Sequence, residues 1–239
     1  MTRFAATNAW TYRRANDAGI VELASWRGRG SLGLRSHFHD ESQIVFVLSG
    51  SRAFGVHGAT VTVPAGYAAS IPAGLLHAPI ATSDAETVCL NAYVPASQSP
   101  ASLLISRVPR RLPSVDEISP KHIQEIADDI LSREYPQSAV MSDGMSLGAA
   151  LTDSAEPIGD IAARLGRSRE GFSRLVTREL GIAPHAFRVL ARLNLARQLL
   201  RQGQPIAAVA AEAGFSDQSH LTRLFRRTFG TTPGVYWRD

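Results

Sequence analysis

The chain repeats itself near its C-terminal end. "IGDIAARLGRSREGFSRLVTRELGIAP", beginning at Ile158, is answered by "IAAVAAEAGFSDQSHLTRLFRRTFGTTP", beginning at Ile206. Ile158, Ile161, Ala162, Gly166 and Ser168 match Ile206, Val209, Ala210, Gly214 and Ser216. After an offset of one residue, Phe172, Arg174, Leu175, Gly181 and Pro184 match Leu221, Arg223, Leu224, Gly230 and Pro233. Self-similarity of this kind marks a supersecondary unit used twice. Each copy reads as helix, tight turn, helix. The first helix is short and rich in Ile, Val and Ala, so it can pack closely. Gly166 and Gly214 sit where that helix stops and the backbone needs positive φ. Ser168 and Ser216 follow at the N-cap position of the next helix.

This is the helix-turn-helix layout, whose second helix suits a DNA major groove. In the second copy Ser216, Asp217, Gln218, Ser219 and His220 crowd the front of that helix with short donors and acceptors suited to base edges. The first copy offers Ser168, Arg169, Glu170 and Ser173. Arg174 and Arg223 occupy equivalent places, where either can fork onto guanine or clamp a phosphate. Arg178, Thr222 and Arg227 complete the candidate DNA-contacting set. Phe172, Leu175, Leu221, Leu224 and Phe225 form the opposite, buried face. A compact helical domain with solvated arginines is the bland alternative, and the matched arginines of two copies argue against it.

Charge supports the same division. From Ala155 onward there are 13 Arg against 7 Asp or Glu, a net of +6, while the rest carries 12 basic and 14 acidic residues, a net of −2. A polyanion therefore meets the back of the chain, not the front. Between the copies, "HAFRVLARLNLARQLLRQG" reads as a long helix with Leu190, Leu193, Leu195, Ala196, Leu199 and Leu200 to bury. It is a rigid spacer able to hold two recognition helices about one DNA turn, roughly 34 Å, apart. Its Arg188, Arg192 and Arg197 are read as mostly solvated, with phosphate contact the alternative.

The front half has a different texture. "QIVFVLSGSRAFGV", "ATVTVPAGYAASIPAG" and "ETVCLNAYVP" are short strands broken by Gly and Pro, as in a sandwich or barrel. Farther on, "SPKHIQEIADDILSRE" predicts a helix, with Ser119 as N-cap, Pro120 in the first turn and a stripe of Ile123, Ile126 and Ile130. That stripe can pack on the barrel or pair with a second chain's copy. The weaker stretch from Ser132 to Pro157 is read as holding the interdomain linker. The expected organisation is a two-domain α+β chain: a barrel over 1–97, a helical linker and candidate dimerisation segment over 98–153, and two helix-turn-helix motifs over 154–239. The lone Cys89 can form no internal disulfide, which fits a reducing compartment. There is no apolar run of signal-peptide or membrane-span length, so a cytoplasmic location without a membrane partner is expected.

"HFHDESQIVFVLSG" places His37 and His39 two apart on a strand, on one face, with Gln43 four residues beyond. His77 arrives later, after Pro72 and Gly74. His57, in "FGVHGA", falls near a turn and is read as a surface residue. No paired-carboxylate or nucleophile signature stands out, and "GRGSLGL" lacks the lysine and helix of a phosphate loop.

Two resemblances follow. From Ile158 to Arg238 the chain resembles the DNA-binding domain of the AraC/XylS family of bacterial transcription regulators, through "IGDIAARLG", "FSRLVTRELGIAP", "RLNLARQLL" and "PIAAVAAEAGFSDQSHLTRLFRRTFGTTPGVYWR". The resemblance implies double-stranded promoter DNA as a partner, with Arg174 and Arg223 entering the grooves. It also implies a homodimer, and RNA polymerase as a partner for an activator. Gly171 departs from a good recognition helix at a cost of roughly 1 kcal/mol, so the first reader is expected to be the less rigid. The front resembles the two motifs of a cupin barrel, whose matching positions hold a divalent metal through two His, a Glu and a third His. Carried over, these are His37, His39, Gln43 and His77. Gln43 stands where the acidic ligand belongs, Ser31 at the first glycine and Ala81 at the final asparagine. Three neutral imidazoles can still hold Zn, Ni, Co, Cu or Fe(II). AraC-type regulators resemble cupins in their sensory domains, and many such barrels take an organic effector without metal. A bound metal, a metal-free polar pocket and structural histidines all remain open. The implied function is a DNA-binding regulator that senses a small molecule or metal ion, not an enzyme. A metal-dependent cupin enzyme fused to a DNA-binding domain is the alternative, and a nucleoid-type binder with a vestigial barrel is weaker still.

Overall fold

A computed structural model describes residues 8–15, 19–30, 33–81, 85–108, 119–133, 143–152 and 156–236. Ser31, Ala155 and Arg238 lie outside the described residues, as does much of the segment read as a linker.

Among the described residues the N-terminal half has nine strands: β1 (Ala9–Arg14), β2 (Glu22–Gly28), β3 (Ser42–Ser49), β4 (Ser51–Val56), β5 (Ala59–Pro64), β6 (Tyr67–Ile71), β7 (Ala78–Ile80), β8 (Thr87–Val94) and β9 (Leu104–Arg107). Six pair in the order β1-β2-β8-β3-β6-β9, three in the order β5-β4-β7, and every pairing is antiparallel. Among the described residues this is a cupin-like sandwich of two facing sheets, not one closed barrel. Strand alternation explains the layering. Val45 and Val47 of β3 point inward with Trp26, Cys89, Phe54 and Val63, whereas Ile44 and Phe46 point outward with Leu23, Leu90 and Ala92. His57 is exposed at the β4–β5 turn, with a left-handed φ of 49°.

The outer face is covered by α1 (Pro120–Arg133). Ser119 Oγ accepts from the N–H of His122 at 3.2 Å and caps it. Ile123, Ile126 and Ile130 are buried with Ile44, Phe46 and Leu90. Of the two partners open to this stripe, the sheet takes it.

Among the described residues seven helices follow: α2 (Asp143–Thr152), α3 (Ile158–Arg164), α4 (Arg169–Leu180), α5 (Pro184–Arg201), α6 (Ile206–Glu212), α7 (Gln218–Phe229) and α8 (Pro233–Tyr236). The segment read as linker thus contributes a helix: Leu151 and Leu147 of α2 join the core with Phe187 and Leu190 of α5. Helices α3–α4 and α6–α7 are the two repeats. Gly166 and Gly214 turn between them with φ of 65° and 75°. Ser168 caps α4, accepting from the N–H of Gly171 at 3.1 Å. The equivalent expectation for Ser216 is corrected: the cap of α7 is Asp217, which accepts from the N–H of His220 at 2.7 Å. The one-residue offset inside the repeat explains this, because Ser168 precedes Phe172 by four residues, as Asp217 precedes Leu221.

Helix α5 buries Leu190, Leu193, Asn194, Ala196, Arg197, Leu199 and Leu200, but leaves Leu195 36% exposed. Two sequence expectations fall here: Leu195 is not core, and Arg197, read as solvated, is 1% exposed. Arg188 is half-buried and donates to the carbonyl of Leu151 at 3.0 Å. Helix α5 needs more than one buried stripe because it touches both repeats and the sandwich. Phe38 stacks on Phe187 at 4.8 Å, and Trp10, Tyr12 and Tyr93 share one apolar core with Phe229 and Tyr236.

Candidate functional site

Two groups of candidate residues lie apart in the fold. On the reader helices Ser168, Arg169, Glu170, Arg174 and Arg178 of the first copy are exposed, and Ser173 is half-buried. In the second copy Ser216, Asp217, Gln218, Ser219, Arg223 and Arg227 are exposed, with His220 and Thr222 half-buried. The apolar face lies opposite: Phe172 and Val176 in α4, and Leu221, Phe225 and Phe229 in α7, are buried. Leu175 and Leu224 are half-buried. Gln218, Ser219, Thr222, Arg223, Arg226 and Arg227 line one open cleft with Gly33 and Thr232. Arg226 is the member that the sequence reading missed. Its place three residues after Arg223, on the same face, is the signal that marks it.

Not every polar group there is free to read a base. Asp217 caps the helix with one carboxylate oxygen and accepts from Ser216 Oγ at 3.1 Å with the other. The backbone N–H of His220 and then the Ser216 hydroxyl hold its carboxyl below the usual carboxylate range. Arg178 pairs with Glu179 at 2.7 Å. That pair is exposed and weak, so a phosphate can displace it.

The second group sits inside the sandwich. His37, His39 and His77 are all buried, and one ring nitrogen from each lies within 4.8 Å of the others. A two-way backbone bridge fixes the first and last: the N–H of each of His37 and His77 donates to the other's carbonyl at 2.9 Å. His39 is placed by the turn at Gly74, whose N–H donates to the His39 carbonyl at 2.8 Å. Gln43 lines the same pocket as His37 and His77. The four predicted residues are therefore brought together. Sequence reading missed Trp10, Tyr12, Arg52, Phe54, Asn91 and Tyr93, which complete the lining.

Burial, reinforced by neighbouring histidine, lowers His37 to about 3, and burial lowers His77 to about 4. Burial and then the Arg197 charge hold His39 well below its ordinary value. All three rings are neutral at pH 7, as metal ligands must be. Their protons are nonetheless placed differently. His37 Nδ1 lies 2.7 Å from the Arg35 carbonyl, and His77 Nδ1 lies 2.9 Å from that of Leu75. A carbonyl only accepts, so each Nδ1 carries hydrogen and each Nε2 keeps its lone pair. His39 Nδ1 lies 2.7 Å from Arg197 Nη1. A guanidinium only donates, so Nδ1 is the acceptor, the proton is on Nε2, and that Nε2 has no partner. Neither nitrogen of His39 then has a lone pair free for a metal. With Gln43 in place of a carboxylate and the charge of Arg197 alongside, the residues present do not fit a divalent cation in this arrangement.

Arg197 belongs to α5 and joins the two halves of the chain. It donates to Glu22 Oε2 at 3.1 Å, lies 3.7 Å from Glu41 Oε2, and stacks over Tyr93 and Phe229 at 4.7 and 4.9 Å. One turn on, Arg201 donates to Glu22 at 3.1 Å and to Glu41. Tyr236 donates to the same Glu22 oxygen. Two cations thus meet two carboxylates, which is the condition for burying charge without heavy loss. Tyr12 donates its hydroxyl to the Phe229 carbonyl at 2.7 Å, and the N–H of Arg35 donates to that of Arg227 at 3.2 Å. The end of the second reader helix is therefore bonded to the sandwich.

Comparison with known proteins agrees with this division. A helix-turn-helix domain family matches residues 161–239, and a cupin domain family matches residues 28–93. Transcriptional activator NphR of Rhodococcus sp is 41% identical over 90 residues, 37% of this chain and 27% of that protein. The chain thus spans about a quarter of the length of that relative. The HTH-type transcriptional regulator NimR of Escherichia coli strain K12 is 25% identical over 225 residues, 84% of this chain and 81% of that protein. Unsaturated fatty acid-bound wild-type ToxT from Vibrio cholerae strain SCE256 shares the fold with a TM-score of 0.59, over 94% of this chain and 97% of that one, at 13% identity. Among the described residues no helix is long and apolar enough to cross a membrane. The chain is thus similar to AraC-type transcription regulators in its helix-turn-helix half and to cupins in its N-terminal half.

Proposed function

We propose that the chain reads double-stranded promoter DNA in a sequence-specific manner with α4 and α7, and that its sandwich senses a small molecule. The observation that carries the DNA reading is the paired exposure of Arg174 and Arg223, each backed by a buried apolar face. Gln218, Ser219, Thr222 and Arg223 are the base-edge set of the second helix. Arg169, Arg178, Arg226 and Arg227 suit phosphates. Asp217 is the organiser that holds the second set in place. The chain acts by binding, as the regulators named among its relatives do, not by turnover.

The sensing reading is supported by the shared boundary of pocket and reader. Tyr12 lines the pocket and is bonded to the last turn of α7, while Arg197 of α5 is seated beside His39. A ligand that prefers one seating of α5 and α7 over another changes promoter affinity by that difference in binding free energy. Sensing of a metal ion is the second reading, favoured by the ready Nε2 lone pairs of His37 and His77. It requires Arg197 to leave His39, so metal binding and the seating of α5 exclude one another. Any pairing of two copies as a homodimer uses a surface other than the isoleucine stripe of α1, which the sheet already covers.

The test of the DNA reading is Arg223→Ala on a mapped operator, by fluorescence anisotropy at one stated salt concentration. Binding should weaken by about 1–3 kcal/mol, with relaxed discrimination at a single base step. Unchanged affinity and specificity remove Arg223 from the reading role.

A further inference from the structure

Among the described residues two arginines are buried, and they are treated differently. Arg197 has Glu22 and Glu41. Arg52, 5% exposed on β4, has no ion pair or side-chain hydrogen bond among the described residues, and its Nε is buried without a partner. It shares the inward face of β4 with Phe54, two residues on. Its guanidinium lies 5.2 Å from the Phe54 ring and 5.9 Å from the Trp10 ring, which compensate the charge only in part. A buried cation without a counter-charge is among the costlier arrangements a fold can hold. Lysine can escape by losing its proton, but arginine does not.

The surroundings of Arg52 share its lack of partners. Trp10 Nε1 and Gln43 Oε1 are also buried with no hydrogen-bond partner, and both side chains line one pocket with Arg52. Buried polar groups are normally satisfied, so several orphans around one space point to a missing guest. That guest is bounded by charge and size. The pocket has one unpaired positive group and no carboxylate in its lining. The room that the side chains leave is about 10 Å³, that of a single water, so an organic guest is seated only as the aromatic walls move apart. Its aromatic walls, Trp10, Tyr12, Phe54 and Tyr93, suit an apolar body behind a charged head.

We infer that the effector of the sandwich is a small organic carboxylate, its head on the Arg52 guanidinium and the Trp10 indole N–H, and its body against the aromatic walls. The inference rests on the reading of the sandwich as the sensor and adds the chemical class of what it senses.

The experiment is thermal melting of the full chain with acetate, lactate and benzoate at matched ionic strength, against acetamide, lactamide and benzamide. It is run on the wild type, Arg52→Lys and Arg52→Met. At least one carboxylate should raise the wild-type Tm by about 5–10 °C at a hundredfold excess over its Kd, and its amide should not. Arg52→Lys should respond more weakly, because a point charge replaces the fork. Arg52→Met should lose the response, yet melt at or above the ligand-free wild type, since the unpaired charge is gone. A structural arginine would give the opposite stability change. No carboxylate response in the wild type, or an undiminished response in Arg52→Met, overturns the inference. A response to amides alone overturns the carboxylate class and leaves the sandwich a sensor, and operator affinity of the same samples reports on the reader helices separately.

Discussion

Arg197 Nη1 donates to His39 Nδ1 at 2.7 Å, so a residue of the helical half fixes where the proton sits on an imidazole of the sandwich. His37 and His77 take the other tautomer because backbone carbonyls face their Nδ1 atoms. Long-range ¹H–¹⁵N correlation spectra at pH 7 should show His39 protonated on Nε2, and His37 and His77 protonated on Nδ1. The same tautomer at all three rings would mean that Arg197 is not seated as described.

Replacing Arg197 by Met removes a buried cation and leaves Glu22 and Glu41 to share Arg201. Breaking one side of a buried pair of this kind destabilises by about 3–5 kcal/mol, to be read from urea unfolding. His39 is then free to turn its lone pair toward His37 and His77. Folded Arg197→Met protein should bind cobalt(II) at least tenfold more tightly than the wild type, with tetrahedral d–d absorption. Equal cobalt affinity in the two proteins removes the metal reading.

Acid should weaken the fold through the same histidines. His77 and His37 titrate at about 4 and about 3 when folded, against about 6.5 in an unfolded chain. Between those values the unfolded state binds more protons, so unfolding free energy falls as pH falls. Their full contribution is present above about pH 6.5. Each ring removes up to about 1.4 kcal/mol per pH unit below that, until its own folded value is reached. Urea titrations from pH 7 to pH 4 should show this slope, and His77→Phe should flatten it by about one ring's share.

Asp217→Ala should cost about 1 kcal/mol of stability through the lost cap of α7. Hydrogen exchange should locate the loss at the first turn, beginning with the His220 amide. Asp217→Asn should keep most of the stability, and Ser216→Ala should have little effect. Equal costs at Ser216 and Asp217 would contradict the cap assignment.

Much of this architecture was legible in the sequence where local chemistry dictates local geometry. Gly166 and Gly214 require the turns they make, and the Ile123 stripe demands a sheet or another helix. His37 and His39 point one way because strands alternate. What escaped depends on tertiary context. Asp217 was hidden by one inserted residue, although the offset in the repeat already recorded it. Arg197 read as solvated because an arginine among leucines on a long helix usually snorkels to water. Its burial becomes tolerable only when Glu22 and Glu41, more than 150 residues earlier in the chain, arrive to meet it. Arg52 escaped for a related reason: strand alternation puts it inward with Phe54, but no local rule says that a charge is left there alone.

Helix α5 separates the two readers and also seats its guanidiniums against the sandwich. The two halves of this regulator are therefore not interchangeable cassettes. A chimera that grafts residues 156–236 onto a foreign sensor loses Glu22, Glu41 and the Tyr12 hydroxyl together, stranding two cations at the seam. Transplanting the helical half requires carrying those three side chains across with it.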